Sequence, residues 1–281
     1  MLNIPSPLVT NGRRLYIGMG GGYDVLGAVP LYTTLDKWCT GRFTPVMANI
    51  GPIEFGHLSN FYSLAPTGAP GLRTAIQAIV DEEQIETIIA VDGGVDCLMR
   101  GDEQNAGTVL QDFITLAALD QVKVPKQFLA CLGFGCETEE ELNFFRVLEN
   151  IATLTRTEGF LGTCSLLPSQ ESFSKYKEAC ETSFENRRKS HIHTRVIAAV
   201  EGQFGNVTID LDANLSQLVN TNVTSHFINP LMGMYWFFNL HSVIASNLLI
   251  PVLRTPETMK DAFHAFRQHV KRTRDYKLIP L

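Results

Sequence analysis

Four carboxylates lie within twelve residues of one another and are the strongest candidates for chemistry in this chain. They are Asp92, Asp96, Asp102 and Glu103. Carboxylate oxygens bind hard divalent cations such as Mg²⁺, and a carboxyl group whose pKa is raised can act as a general acid or base. We therefore predict that these four residues act in catalysis, with Asp92 and Asp96 as candidate metal ligands and Mg²⁺ as the candidate cofactor. The alternative is that Asp96 caps a helix while Asp102 and Glu103 face solvent.

A glycine cluster after an apolar run is the second feature with chemical meaning. The turn comprises Gly18, Gly20, Gly21, Gly22 and Tyr23, and Asp24 follows at once. Glycines let a ligand approach the main chain closely, and the free N–H groups of a following helix favour negative charge. We predict that this turn binds a phosphate or a nucleotide and that Asp24 joins the catalytic carboxylates. The alternative is a glycine turn needed only for packing of the helix on the strand.

The glycine cluster departs from the two common phosphate-binding motifs. In the dinucleotide fingerprint G-x-G-x-x-G, Gly18 and Gly20 match, but Tyr23 stands at the third position. The Lys-Ser/Thr pair of a Walker loop is missing as well. The turn is therefore interpreted as an anion-binding turn of a non-standard type.

Further ligand-binding candidates follow two later strands and occupy one long loop. The strand-end candidates are Gly93, Gly94, Arg100, Gly133 and Gly135. Arg100 has the fork geometry to pair with a phosphate. Residues 51–71 are rich in turn formers and predict a long loop that acts as a lid, with Glu54 and His57 as binding residues. His191 and His193 have the spacing of two metal ligands on one strand face, although no third ligand accompanies them.

The first half of the chain predicts alternating strands and helices that would bring these residues together. Strands are expected at 13–18, 43–50, 86–91 and 126–132, and helices at 24–38, 72–84, 108–119 and 138–154. Because Pro30 falls inside the first helix, a start nearer Val29 or a kink there is the alternative. The last of these helices carries a capping-box spacing between Thr138 and Glu141. The alternation predicts an α/β fold of Rossmann-like, doubly wound type, with a mainly parallel sheet, helices on both faces and C-terminal helical additions. Ligands of such folds bind at the carboxyl ends of the strands, where the three glycine-rich stretches fall.

The whole chain is expected to form a single α/β domain over residues 1–281. Residues 1–155 form the regular core, and the less regular residues 156–281 complete the sheet and the helical layer. The apolar stretch 227–253 is interpreted as a buried helix, because polar residues interrupt it too often for a membrane span.

Composition excludes some classes of partner and favours others. A net charge of −6 and a pI near 5.7 argue against binding to duplex nucleic acid. The start of the chain lacks the pattern of a secretory signal, and six scattered cysteines without a C-x-x-C pair are typical of buried free thiols in a reducing compartment. We therefore expect a cytoplasmic protein with no nucleic-acid or membrane partner, whose ligand is a small phosphorylated molecule or a nucleotide. A homo-oligomer is compatible with the composition.

Three segments, 20–28, 92–103 and 229–238, resemble one family in sequence and in order. It is the domain-of-unknown-function family 1152 (DUF1152). The resemblance implies a shared set of site residues, namely Gly20, Gly21, Gly22, Asp24, Gly93, Gly94, Asp96, Gly101, Asp102 and Glu103. This chain departs from the family pattern at Tyr23, where a further glycine is expected. The family has no settled activity, so the resemblance supports the Rossmann-like fold and the position of the site more than it supports any one function.

Taken together, these patterns predict an enzyme that binds a nucleotide or a sugar phosphate. A hydrolase or a group transferase is expected, with the glycine turn holding phosphate and the acidic loop supplying acid/base catalysis assisted by a metal. The alternative is a non-catalytic protein that senses a nucleotide or dinucleotide. A nicotinamide-dependent redox enzyme is less well supported, because the third glycine is missing and Ala48 and Asn49 stand where a ribose-binding acid would be expected.

Overall fold

The computed structural model describes residues 2–38, 45–51, 60–138, 140–185, 189–210 and 223–279. Within these residues the strands are β1 (Arg14–Gly18), β2 (Val46–Ile50), β3 (Phe61–Leu64), β4 (Thr87–Asp92), β5 (Lys126–Leu132), β6 (Phe160–Ser165), β7 (Gly205–Asp210), β8 (Val223–Ile228) and β9 (Met234–Asn239). The helices are α1 (Val29–Trp38), α2 (Ala69–Glu82), α3 (Leu110–Leu119), α4 (Phe144–Arg156), α5 (Glu171–Phe184), α6 (His191–Val200), α7 (Leu240–Ser246), α8 (Ile250–Leu253) and α9 (Met259–His269).

Seven strands form one sheet in the order β3-β2-β1-β4-β5-β9-β6. All neighbours from β3 to β5 pair in parallel, while β9 runs antiparallel to both β5 and β6. The predicted α/β class with a mainly parallel sheet is therefore confirmed. Strands β2 and β3 lie on one side of β1, whereas β4 and β5 lie on its other side. The strand order therefore reverses between β1 and β4, and the carboxyl ends of these two strands flank that point. Crevices at such a point are the usual ligand sites of open α/β sheets.

Helices cover both faces of the sheet, as the sequence predicted. Side chains of a strand alternate between the two faces, and in β1 this sends Leu15 and Ile17 to one core and Tyr16 to the other. The first core includes residues of α2, α3 and α4, and the second includes residues of α1, α5 and α6. Such a doubly covered sheet explains why β1, β2 and β4 are buried along their whole length.

The expectation of one buried helix in 227–253 is wrong. This stretch contains the end of β8, a short 3₁₀ turn at Pro230–Gly233, strand β9 and helix α7. Aromatic residues favour strands that pack on both faces, and Tyr235, Phe237 and Phe238 are fully buried in β9 between β5 and β6. Asn239 then starts α7, because its side chain caps the helix by accepting from the N–H of Ser242.

Several other element predictions also need correction. Strand β3 lies inside the predicted long loop, and β6 was not predicted. Helix α4 begins at Phe144 rather than at Thr138, because Asn143 caps it and Glu141 has a positive φ of 53°. The first predicted helix divides into a 3₁₀ turn at Asp24–Ala28 and α1, where Pro30 occupies the first turn that tolerates proline.

Two further results bear on the predicted compartment and partners. The cysteines in the described part of the chain are free and buried, which confirms the prediction of buried free thiols for them. Among the described residues, the helices all lack the combination of length and apolar character that a membrane span requires.

Candidate functional site

Three aspartates converge where the strand order reverses. Asp24 follows the turn after β1, Asp92 ends β4, and Asp112 lies in the first turn of α3. Each places a carboxylate oxygen within 4.8 Å of the others. The sequence predicted Asp24 and Asp92 but missed Asp112. An acid in the first turn of a helix usually indicates only a favourable interaction with the helix dipole. No pattern in the sequence therefore assigned Asp112 to the site.

A second group of carboxylates lies beside the first and comprises Asp96, Glu137 and Glu140, again with oxygens within 4.8 Å. Glu137 follows the turn after β5 and accepts hydrogen bonds from the backbone N–H groups of Val95 (2.8 Å) and Asp96 (3.3 Å). Asp96 in turn accepts from the N–H of Thr108 at 3.1 Å. These contacts connect the loop after β4 to the loop after β5. Sequence reasoning placed Asp96 at the site and missed both glutamates.

Burial raises the pKa of these carboxyl groups and their mutual repulsion raises it further. The pKa of Asp24 rises to about 7, first through burial and then through the charge of Asp96. The pKa of Asp96 also rises to about 7, through burial and the charge of Glu140. Burial and neighbouring carboxylates hold the pKa values of Asp92, Asp112 and Glu137 well above their ordinary range. At neutral pH, this concentration of acids therefore favours bound protons or a bound cation.

The glycine turn allows two of the carboxylates to approach the main chain. The N–H of Gly20 donates to Asp24 Oδ2 at 2.6 Å. A Cβ at Gly20 would lie 2.8 Å from both Asp112 Oδ1 and Asp24 Oδ2, too close for any other residue. Gly93 shows the same relation, since its Cβ would lie 2.7 Å from Asp24 Oδ1. The missing side chains of Gly20 and Gly93 therefore leave room for the carboxylates of Asp24 and Asp112 beside the main chain. This role does not depend on a bound ligand.

A pocket of about 490 Å³ opens beside the carboxylates. Gly21, Gly22 and Tyr23 line one side of it. Asp24, Glu137 and Glu140 contribute the carboxylates on its lining. Lys189 and the first residues of α6 complete the lining. The pocket thus combines the predicted glycine turn with acidic residues and with a basic side chain that the sequence analysis did not select.

The N-terminus of α6 faces this pocket. Ser190 caps the helix, accepting from the N–H of His193 at 3.2 Å, and Ser190, His191 and Ile192 all line the pocket. The first N–H groups of a helix lack intrahelical partners and favour an anion. Glycine suits position 133 because its φ of +113° is one that other residues rarely adopt, and a Cβ there would also lie 3.0 Å from Ile192 Cγ2. Gly135 instead packs against Asn229.

His193 holds the glycine turn against α6. Its ring is buried, with Nε2 2.8 Å from the carbonyl oxygen of Tyr23 and Nδ1 2.7 Å from the hydroxyl of Tyr176. A carbonyl can only accept, so Nε2 carries the proton and donates, and Nδ1 accepts from Tyr176. Burial lowers the pKa of His193 to about 4, which keeps the ring neutral. The interpretation of His191 and His193 as ligands on a strand face is wrong, because the segment is helical and both ring nitrogens of His193 are engaged.

Asp102 and Glu103 lie in a different network, which anchors the C-terminal segment. Glu103 accepts from the N–H groups of Arg100 and Gly101 and from the side chain of Asn150. Arg274 forms ion pairs with both acids. The structure does not bring these acids into the pocket lining. Burial alone would raise the pKa of Glu103, but the hydrogen bonds and the charge of Arg274 outweigh it and lower the pKa.

Four other predicted binding residues remain, of which the structure describes Arg100 and Gly94. The Arg100 guanidinium donates to the carbonyl oxygen of Ser246 at 3.2 Å and does not line the pocket. Gly94 approaches Glu137, since a Cβ there would lie 2.6 Å from that carboxylate. Glu54 and His57 lie outside the described residues, so their predicted role as a lid stays a prediction.

Comparison with known proteins supports the family resemblance. The family model described as "Protein of unknown function (DUF1152)" matches residues 53–274. Neither the curated proteins nor the solved structures include a match to the chain.

Proposed function

The chain belongs to the DUF1152 family, and we propose that it is an enzyme that binds a nucleotide or a sugar phosphate and acts on it as a hydrolase or group transferase. One observation carries this proposal. The pocket combines a lining suited to anions with a group of carboxylates, and its lining includes the segments that follow the carboxyl ends of β1 and β5. This combination suits a substrate that carries a phosphate next to the bond to be broken.

The anion-binding part of the pocket consists of backbone N–H groups and one lysine. Residues 190–192 at the start of α6 line the pocket, and the first backbone N–H groups of a helix favour an anion. Lys189, which also lines the pocket, adds a positive charge. Gly22 also lines the pocket, with a φ of +59° and no atom within 4 Å of the position of a Cβ, so a ligand can approach its backbone directly. These features together favour a phosphate group over a neutral ligand.

The acidic part of the pocket supplies the groups that would activate a nucleophile. Asp24, Glu137 and Glu140 line the same space, and Asp96 lies directly behind the two glutamates. Carboxylates in this position can take a proton from a water or a hydroxyl, or hold a divalent cation that lowers the pKa of bound water. Hydrolysis and transfer differ only in whether water or a second substrate provides the attacking hydroxyl.

The binding half of the proposal is tested with phosphate-bearing probes and a matched pair of lysine variants. Inorganic phosphate, nucleoside mono-, di- and triphosphates and sugar phosphates are screened by thermal shift, and each hit is titrated calorimetrically. Lys189→Met should weaken binding about tenfold or more, since a charge-assisted hydrogen bond contributes roughly 1.5–3 kcal/mol. Lys126→Met removes an exposed lysine at the opposite end of β5 and should leave binding unchanged. Absence of any hit, or equal affinities for both variants, would refute phosphate binding in this pocket.

The catalytic half is tested with Asp96→Asn and an assay for product release from each hit. Asparagine keeps an oxygen that accepts from the N–H of Thr108 but removes the negative charge. Turnover should fall at least roughly a hundredfold, the usual contribution of a positioned acid or base, while ligand affinity changes by less than about threefold. Binding without turnover in the wild-type protein would instead support the alternative, a non-catalytic nucleotide sensor.

A further inference from the structure

The carboxylates of Asp24, Asp92 and Asp112 enclose one small space, and we propose that it binds a single divalent cation of the hard, oxygen-preferring class, such as Mg²⁺, Mn²⁺ or Ca²⁺. One oxygen from each residue lies within 4.8 Å of the other two. At a Ca–O distance of about 2.4 Å, ligands on opposite sides of the ion are about 4.8 Å apart, and Mg²⁺ requires a slightly smaller spacing. The three oxygens are therefore close enough to contact the same ion.

Two unpartnered oxygens point to a ligand in this space. Asp92 Oδ2 and Asp112 Oδ1 are buried and accept no hydrogen bond, although each residue is only 3% exposed. A buried acceptor without a donor loses its hydration with nothing in exchange, which usually costs roughly 1–3 kcal/mol and more for a charged group. Asp112 Oδ1 and Asp24 Oδ2 both flank the position of a Cβ at Gly20, so they face the same space. A cation there would supply the missing partner of Asp112 Oδ1, and Asp92, which contributes one of the three clustered oxygens, would be a ligand of the same ion.

Among the residues that the structure describes, no ion pair compensates the charge of these aspartates. In the part of the chain that the structure describes, the ion pairs of Lys, Arg and His involve other acids and leave out Asp24, Asp92 and Asp112. The charges that act most strongly on the three come from one another and from Asp96 and Glu140. Buried charges are normally paired or coordinate a metal, and the second arrangement fits this set.

A cation can reach the three aspartates from the pocket, whereas a neighbouring group with sulfur ligands is closed to it. Cys97 and Cys131 lie near Asp92, with their Sγ atoms 3.5 Å apart, but both side chains are completely buried. Asp24, in contrast, is partly exposed and lines the pocket. A metal site needs an entry path, and the aspartate set has one through Asp24. Its ligands are all oxygens, which select hard cations.

The position of the cation relates it to the proposed reaction. Mg²⁺ is commonly held by one or two carboxylates and completes its shell with water and substrate phosphates. An ion bound to Asp24 would present its remaining positions to the pocket. This use of the ion in catalysis rests on the proposed function, whereas the binding of the ion itself does not.

The experiment measures metal binding alone, without any phosphate ligand. The full chain is stripped with EDTA, dialysed and titrated with Mn²⁺ while free Mn²⁺ is followed by electron paramagnetic resonance, and Mg²⁺ and Ca²⁺ are tested as competitors. We expect one ion per chain in the aspartate site. Asp112→Asn and Asp24→Asn should each weaken this binding at least tenfold. Asp81→Asn, which removes an exposed aspartate of α2, should leave it unchanged.

Two outcomes would overturn the proposal. The first is the absence of Mn²⁺ binding by the wild-type chain at millimolar concentration. The second is equal Mn²⁺ affinity in all three variants, with far-UV circular dichroism confirming that each is folded. Metal binding with the expected losses supports the site even if every phosphate ligand fails to bind, so its failure and that of the proposed function are separable.

Discussion

Replacing Asp112 with asparagine should stabilise the metal-free protein and reduce the stabilisation by metal. The substitution keeps the shape of the side chain and removes a buried charge that is repelled by the two neighbouring aspartates. In most proteins the loss of a buried aspartate destabilises the fold, because a partner is left without its charge. Here Asp112 Oδ1 has no hydrogen-bond partner, so we expect the opposite direction.

The magnitude follows from the spacing of the carboxylates. The carboxylate oxygens lie within 4.8 Å of one another, and at that upper limit two ionised groups repel each other by roughly 3.5 kcal/mol at an effective dielectric constant of about 20. Bound protons relieve part of this repulsion in the metal-free protein, so we expect Asp112→Asn to raise the free energy of unfolding by about 1–3 kcal/mol. With metal at a hundredfold excess over Kd, the free energy of unfolding of the wild-type protein rises by about 2.7 kcal/mol. A variant that binds tenfold more weakly gains at most about 1.4 kcal/mol under the same conditions.

The assay is urea denaturation at pH 7.5, with EDTA and with saturating Mn²⁺, on the wild-type protein, Asp112→Asn and Asp81→Asn. The Asp81 variant controls for the loss of a surface charge and should stay within about 0.5 kcal/mol of wild type in both conditions. The reasoning is refuted if Asp112→Asn is less stable than wild type in EDTA. That result would show that the Asp112 carboxylate is a structural acceptor in the fold. A metal effect of equal size in both proteins would refute its role as a ligand.

Two further predictions concern residues outside the aspartate set. His193→Gln keeps a donor for the carbonyl of Tyr23 but cannot titrate. The pKa of His193 lies near 4 in the folded protein and near 6.5 in the unfolded chain, so the unfolded chain binds a proton first as the pH falls. The free energy of unfolding of the wild-type protein should therefore fall by roughly 2.5 kcal/mol relative to this variant between pH 7 and pH 4.5. Urea denaturation across that range tests the direction, and a pH-independent difference between the two proteins would contradict it. Glu103→Gln should cost roughly 3 kcal/mol of stability, since it removes the charge that pairs with Arg274 in a buried setting, and should leave phosphate binding unchanged. Unchanged stability with lost turnover would instead support the catalytic role predicted from sequence.

The sequence by itself determined the α/β class and the edge of the sheet where the site would lie. Apolar runs such as Leu129–Leu132 can be buried on both faces only in a sheet covered by helices. Glycines and acids directly after such runs must then meet at the carboxyl ends of the strands. These are local signals, because each depends on residues adjacent in the chain. Asp24, Asp92 and Asp96 were selected for this reason, and the structure brings them to the same edge.

Local signals failed where long-range pairing decided the structure. The apolar stretch 227–253 has the length and hydrophobicity of a buried helix. Its aromatic part instead becomes β9, because β5 supplies hydrogen-bond partners more than one hundred residues away. Asp102 and Glu103 have the same composition signal as Asp92 and Asp96. They differ because Arg274, far along the chain, reaches them and not the others.

The carboxylate set and the pocket were also decided by tertiary structure. Asp112 belongs to an ordinary helix in the sequence, and only the packing of α3 over Gly20 directs its carboxylate toward Asp24. Lys189 and the start of α6 reach the pocket because His193 binds the carbonyl of Tyr23, 170 residues away. A pattern within one segment cannot encode such contacts, since each depends on where two distant segments pack. The sequence therefore located the edge of the sheet that carries the site, and the packing of α3 and α6 determined which side chains form it.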